Sequence, residues 1–444
     1  MRPELAQRSP GAPAGQASLG VAVDARLEDG RAGGVQQFVI GLASALSALD
    51  DGDEEYAFFG RPGEAGWLLP YLAGPCRLMD IAGAAAVPPH RHRIDQVRRA
   101  VGHRLPAVRT AWRRLVRGGR REPIVIPSSD GTIEAAGVQV VHFTFQGAFI
   151  TGVPSIYQPW DLQHLHLPEF FTDDQRRWRE VAYPLFCERA DLVIVASEWA
   201  RQDVVSHLGI PSSKIAIVEV PPVLRAYPVP DAATVEETRL ELHLPPRFIY
   251  YPAQTWPHKN HIRLLEAIAL IRDRHGVDVD LVCSGSQNAH FAEIERTVRR
   301  LRLQERIRFL GFVEPIEIQS LYRLARCMVF PSLFEGWGLP VVEAFSVGLP
   351  VACSNVTSLP AMVGDAALLF DPRDVDAIAE AMLALWQDEG LRATLANRAY
   401  QVVGRFDWGH TARTFRAHYR SIGGRELTPD DRELVARSMG AAGL

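Results

Sequence analysis

The sequence predicts an α/β protein built from two doubly wound, parallel-sheet domains in tandem, facing each other across a cleft. Three observations carry that expectation. The chain has 444 residues, and a domain usually holds about 100–200, so two domains are the default. It opens with a strand, a glycine-rich turn and an apolar-periodic helix, the start of a doubly wound domain. A second strand–helix alternation follows a proline-rich stretch in mid-chain.

Taken in order, residues 1–17 lack the apolar core of a secretory signal and are expected to be a flexible tail. Leu19 to Val23 is the first strand, Gly33-Gly34-Val35 the turn, and Phe38 to Leu49 the helix. Further strands fall at Val138 to Phe143, Pro154 to Gln158 and Asp191 to Ser197. The last is a continuous β-branched run, as suits a strand buried on both faces. Pro221 to Pro230 is rich in proline, which removes backbone donors and disfavours helix, so it is expected to be a linker. Strands then start near Phe248, Asp280, Ile307, Cys327, Pro350 and Ala367, with helical segments between them. Trp408 to Ile422 is the final helix, with frayed residues after it. The expected division is 18–222 for the first domain, 223–405 for the second, and 406–444 for a C-terminal helix returning to the first. In open α/β sheets ligands bind at the carboxyl ends of the strands, so two such edges would line the cleft.

Composition narrows the function classes. Hydrophobic residues make up 47% and charged residues 23%, which is globular usage, not disorder. A net charge of −4 argues against a general nucleic-acid binder. No run approaches the roughly 18–20 apolar residues that span a bilayer. The five cysteines, Cys76, Cys187, Cys283, Cys327 and Cys353, are scattered and form no CxxC pair, which fits a reducing cytoplasm. One segment departs from the average: Arg91 to Arg121 holds many arginines and a single acid, Asp95. Its apolar positions recur at helical spacing. It is read either as a helical hairpin packed by that stripe or as a basic surface for the inner face of a membrane.

The chemistry concentrates in FPSLFEGWGLPVVEAFSVGLP, Phe330 to Pro350. A strand ends, a loop carries Glu335, Gly336, Trp337, Gly338 and Leu339, and a helix begins near Pro340 with Glu343 in its first turn. Glycines let backbone N–H groups approach a ligand, and a helix N-terminus favours an anion. Glu343 suits a ribose diol and Glu335 a sugar hydroxyl. Rival motifs fail: no GxxxxGK[ST] and no GxSxG is present, and Gly336-Trp337-Gly338 has Val341 where a dinucleotide fingerprint needs its third glycine.

Glu335 and Glu343, with seven residues between them, match the E-x7-E motif, and the flanking E-G-x-G-L-P-x-x-E-A and G-x-P-V also match. On these residues the chain resembles the retaining glycosyltransferases of family 4, also described as group 1. The resemblance implies the GT-B fold, two Rossmann-like domains with the active site between them. It implies that Gly33 and Gly34 approach the donor phosphates, as do the amides at Gly336, Gly338 and Leu339. Lys259, in YPAQTWPHKNH, matches the family's diphosphate-binding lysine, whose ammonium would offset leaving-group charge. Glu335 is expected at the donor sugar and Glu343 at the ribose. Two positions depart from the pattern. Gln254 stands where an arginine is frequent, so the missing charge must come from His258, Arg263, another arginine or backbone donors. Trp160 stands where a histidine precedes Asp161. Asp161, His164 and His166 are candidates for the sugar or acceptor site.

The stretch from Asp161 to Phe171 resembles enzymes of bacterial surface polysaccharides, many of them mannosyltransferases. The implied activity is transfer of a sugar, mannose from GDP-mannose on this subgroup resemblance, to a hydroxyl of a glycan or lipid-linked glycan, with retention. A non-catalytic nucleotide-sugar-binding subunit and a sugar-nucleotide epimerase are the alternatives. No cofactor besides the donor substrate is expected. No metal is assigned, because a His164–His166 pair needs further ligands and Asp278 and Asp280 enter a strand at the wrong edge.

Overall fold

The computed structural model describes residues 18–81 and 123–440. The tail over 1–17 and the basic segment over 91–121 lie outside the described residues. The first sheet is entirely parallel, with β1 (Leu19–Asp24), β2 (Glu54–Gly60), β3 (Cys76–Asp80), β4 (Val140–Phe143), β5 (Ser155–Tyr157), β6 (Leu192–Val195) and β7 (Ile215–Ile217). Its order is β3-β2-β1-β4-β5-β6-β7. The second holds β8 (Ile249–Pro252), β9 (Leu281–Ser284), β10 (Ile307–Phe309), β11 (Cys327–Phe330), β12 (Val351–Ser354) and β13 (Ala367–Phe370), in the order β10-β9-β8-β11-β12-β13. The sequence carries no clear strand signal for β2, β3 or β7, because β3 and β7 are short and β2, though seven residues long, opens on two acids, Glu54 and Glu55. The central strands are buried on both faces: Val21, Val23, Val140, Ile156, Ile194, Met328 and Val351 have no or almost no exposure. This is why they read as apolar runs rather than alternations.

In each sheet the strand order reverses once, between β1 and β4 and between β8 and β11. The loops leaving those four strands are therefore the ones that part and leave a crevice. They carry Gly30 to Gly34, Thr144 onward, Ala253 to Lys259, and Pro331 to Gly338.

Three local expectations need correction. The first helix runs Gly34–Ser47, four residues earlier than its apolar period suggests, because Gly33 (φ 57°) turns the chain straight into it. The proline-rich linker is packed: Val223, Leu224 and Tyr227 are buried, and the Tyr227 hydroxyl donates to Gln37. Among the described residues after Ile422, Pro429–Ser438 form a further helix where a frayed end was expected. Thr428 caps that helix in a reciprocal pair with Asp431, and Arg420 bridges Asp431 (2.9 Å) to Glu54 (2.6 Å).

The Trp408–Ile422 helix lies on the first domain. A Cβ at Gly41 would fall 2.0 Å from the Trp408 ring, so glycine is what lets the two helices meet. Tyr419 donates or accepts at His142 Nδ1 (2.9 Å), and Phe415 stacks on the same imidazole at 5.2 Å. All five cysteines are free and buried. Among the described residues no helix is long and apolar enough to cross a membrane.

Candidate active site

A cavity of about 480 Å³ opens between the two sheets, lined from both domains. That is a normal size for a small-molecule site. From the first domain come Gly33, Gly34, Trp160 and Asp161; from the second come Gln254, His258, Lys259, Glu335, Gly336, Gly338, Leu339 and Glu343. Two groups far apart in sequence meet here. Lys259 Nζ donates to Glu335 Oε1 at 2.5 Å, and both side chains are mostly buried, 18% and 11% exposed. The pair puts one fixed cation and one fixed anion on the cavity wall beside a helix N-terminus.

That helix is Leu339–Ser346, and Gly338 caps it at φ 102°, a left-handed conformation that a side chain strains. Pro340 is its second residue, where a missing N–H costs nothing. Glu343 is 7% exposed, and Tyr322 donates to its Oε2 at 2.8 Å, which leaves Oε1 for a ligand. Burial pushes the Glu343 carboxyl up to about 7, against the pull of the Tyr322 hydroxyl. Tyr322 lies 21 residues upstream and gave no signal in the sequence.

The glycines differ in purpose. A Cβ at Gly336 would sit 2.5 Å from the Trp160 carbonyl oxygen, so this glycine, which also lines the cavity, is needed for contact between the domains. Ser197 donates to the Gly336 carbonyl (3.0 Å) across the same boundary. At Gly34 a Cβ meets nothing within 4 Å among the described residues and would project into open cleft space.

Asp161 sits in the wall; burial raises its carboxyl, and the Arg179 guanidinium opposes that rise. Trp160 holds φ 66°, a conformation that costs a bulky residue about 1–3 kcal/mol. Its indole donates to the Thr144 carbonyl (2.7 Å) and meets Phe38 edge-on at 5.0 Å, which fix the strained turn. His164 is not brought to the cleft. It is 1% exposed, packed edge-on against Tyr183 at 5.1 Å, and burial lowers it to about 4. His166 turns toward the helix Glu198–Leu208 instead.

Of the expected sources for the charge missing at Gln254, another arginine fits the structure better than His258 or Arg263. Burial holds His258 well below the usual imidazole range, so it is neutral, and Arg263 donates to Asn260 (3.0 Å). Gln254 reaches across the cleft: its Nε2 donates to the Arg31 carbonyl at 2.9 Å, and its Oε1 accepts from the Trp256 indole at 2.7 Å. Ser286 donates to the Gly30 carbonyl at 2.8 Å. These contacts bring Arg31, with a side chain 77% exposed, to the cleft from the opposite domain. The signal for Arg31 was its place beside Gly33 and Gly34.

Comparison with known proteins gives two family matches. Residues 233–402 match the family described as "Glycosyl transferases group 1", and residues 80–220 match "Glycosyltransferase Family 4". O-antigen chain mannosyltransferase B of Escherichia coli is 31% identical over 259 residues, 58% of this chain and 68% of that protein. The serotype-specific mannosyltransferase WbdA of Escherichia coli is 31% identical over 234 residues, 51% of this chain but only 28% of its own length. Among solved structures, sucrose-phosphate synthase from Thermosynechococcus elongatus superposes with a TM-score of 0.66 at 20% identity, covering 91% of this chain and 99% of that one. That likeness is one of fold, the GT-B plan of two facing Rossmann-like domains.

Proposed function

The chain belongs to the group 1, family 4 glycosyltransferases, and from that premise we propose that its cleft moves a sugar from a nucleotide diphosphate to a hydroxyl of a glycan or lipid-linked glycan. The observation that carries the proposal is the Lys259–Glu335 pair beside the Leu339–Ser346 helix N-terminus, with Glu343 one turn on. Nucleotide diphosphate sugars need a cation for the diphosphate, an acceptor for sugar hydroxyls and an acceptor for the ribose. These three residues meet those needs in one wall.

In the proposed reaction Lys259 turns from Glu335 toward the diphosphate, and the helix N-terminal amides share its charge. Glu335, released, accepts from sugar hydroxyls. Glu343 Oε1 accepts from the ribose diol. Arg31, across the cleft, supplies the positive charge that Gln254 lacks. The bond from the anomeric carbon to the phosphate oxygen breaks while the acceptor oxygen bonds to the same face. The acceptor proton passes to a phosphate oxygen; bonding on the face that the leaving group departs from retains configuration, and Lys259 with the helix amides offsets the diphosphate charge in place of a divalent ion. Asp161, beside Glu335 and Lys259, faces the transferred sugar. The mannosyltransferase relatives support mannose, and hence GDP-mannose, as donor, and the O-antigen relative supports a polysaccharide acceptor.

The test is calorimetric titration of GDP, UDP, dTDP and ADP without divalent metal, followed by transfer assays and assignment of the product anomer. Preference for one diphosphate, acceptor-dependent turnover and a retained anomer support the reading. Binding without transfer to any glycan acceptor would favour a non-catalytic subunit, and donor turnover without acceptor an epimerase. No binding of any diphosphate would undercut the Lys259, Glu335 and Glu343 assignments.

A further inference from the structure

Beside the cleft, three donor groups converge where the first domain meets the second. We propose that His166, Asp203 and His207 form a binding site for one divalent transition-metal ion. Asp203 and His207 are one turn apart on the Glu198–Leu208 helix and so share a face. His166 closes the short Gln163–His166 helix opposite them. Its Nε2 lies 2.7 Å from Asp203 Oδ1, and His207 Nδ1 lies 3.0 Å from the same oxygen. The three donor atoms all fall within 4.8 Å of one another.

The second observation is the carboxylate itself. The Asp203 side chain is 4% exposed, and its Oδ2 is buried with no hydrogen-bond partner among the described residues. An unused buried acceptor is expensive, and a cation bound through both oxygens of this carboxylate would relieve it. The two imidazoles are 30% and 44% exposed, which leaves an entry path. Two imidazoles and one carboxylate suit Zn²⁺, Co²⁺ or Ni²⁺ rather than Mg²⁺ or Ca²⁺, which prefer all-oxygen sites. The present spacings are those of hydrogen bonds. Bonds of about 2.0–2.1 Å in a tetrahedral site separate ligands by roughly 3.3 Å, so the donors must spread by about half an ångström. The larger spread falls between His166 and Asp203, so a small rotation of the Asp203 carboxylate must supply it, and the exposed His207 side chain can follow. The His166 ring is fixed by Trp199 (5.5 Å) and by Phe334 (5.1 Å), the residue before Glu335 in the second domain. The ion would thus clip the Gln163–His166 segment to the Glu198–Leu208 helix at the domain boundary. None of the three residues lines the cleft, so the site stands apart from the transfer chemistry.

The experiment uses the full chain without a histidine tag, stripped of metal and titrated with Co²⁺ by visible absorption, then with Zn²⁺ as competitor. One Co²⁺ per chain with a ligand-field spectrum, displaced by Zn²⁺, is expected. His207→Ala should weaken binding at least about 100-fold, since even outer-shell changes cost roughly 10–100-fold. Asp203→Asn should do the same. Titration of nucleoside diphosphate into His207→Ala serves as the folding control and is expected to match the wild type. Absence of a saturable cobalt spectrum, or unchanged affinity in a folded His207→Ala, would overturn the proposal and leave a hydrogen-bonded triad only.

Discussion

Glu343→Gln is expected to make the protein more stable at alkaline pH and poorer at holding a nucleotide. Burial pushes the Glu343 carboxyl from its ordinary 4.5 to about 7. The folded state therefore keeps a proton that the unfolded chain gives up as pH rises past 4.5. The stability tied to protonated Glu343 is full below pH 4.5 and is lost as pH rises through about 7. At pH 8 the buried carboxylate costs about 3 kcal/mol, at roughly 1.4 kcal/mol for each pH unit between the two values. Glutamine keeps the shape, accepts from the Tyr322 hydroxyl and carries no charge, so it removes that cost. Urea unfolding of both proteins should show the variant ahead by about 3 kcal/mol at pH 8 and by less than about 1 kcal/mol at pH 5. Nucleotide affinity should fall by about 10- to 150-fold, the worth of charge-assisted bonds of about 1.5–3 kcal/mol. Parallel pH–stability curves for the two proteins would refute the buried-carboxylate reasoning, and unchanged affinity would refute the ribose role.

Lys259→Ala should lower kcat by roughly 10²–10³-fold with a smaller effect on KM, measured by steady-state transfer, because its charge matters most as the diphosphate leaves. Wild-type affinity for nucleoside diphosphate should strengthen between pH 5.5 and 8 as Glu343 ionises, and calorimetry at several pH values checks this. Gly336→Ala places a Cβ 2.5 Å from the Trp160 carbonyl and should cost about 1–3 kcal/mol, with faster hydrogen exchange along the domain boundary. Arg31→Ala should weaken diphosphate binding by no more than about fivefold and flatten its salt dependence, as befits an exposed cation.

Much of the site was legible because it is contiguous. Glu335, Gly338, Leu339 and Glu343 sit on one strand–loop–helix passage, and their spacing alone places them on one wall. Lys259 was legible from its place after a strand, though not its bond to Glu335. Other parts could not be read. Gly336 lines the cavity, but its second constraint, a carbonyl 176 positions upstream in the chain, that of Trp160, could not be read. His164 and His166 share a motif yet point to different surroundings, one to Tyr183 and one to Asp203.

The sequence by itself determined the two parallel sheets, the cleft between their carboxyl edges and the helix N-terminus that faces it. Those follow from period, chain order and local turn chemistry, which are properties of neighbouring residues. Only the tertiary structure decided which distant groups meet. The strand order brings β1, β4, β8 and β11 to the two switch points. That order joins Lys259 to Glu335, hands Gln254 to the Arg31 carbonyl, and sets the burial that raises Glu343. Burial and charge depend on every element packed around a group, and no spacing along the chain encodes that sum.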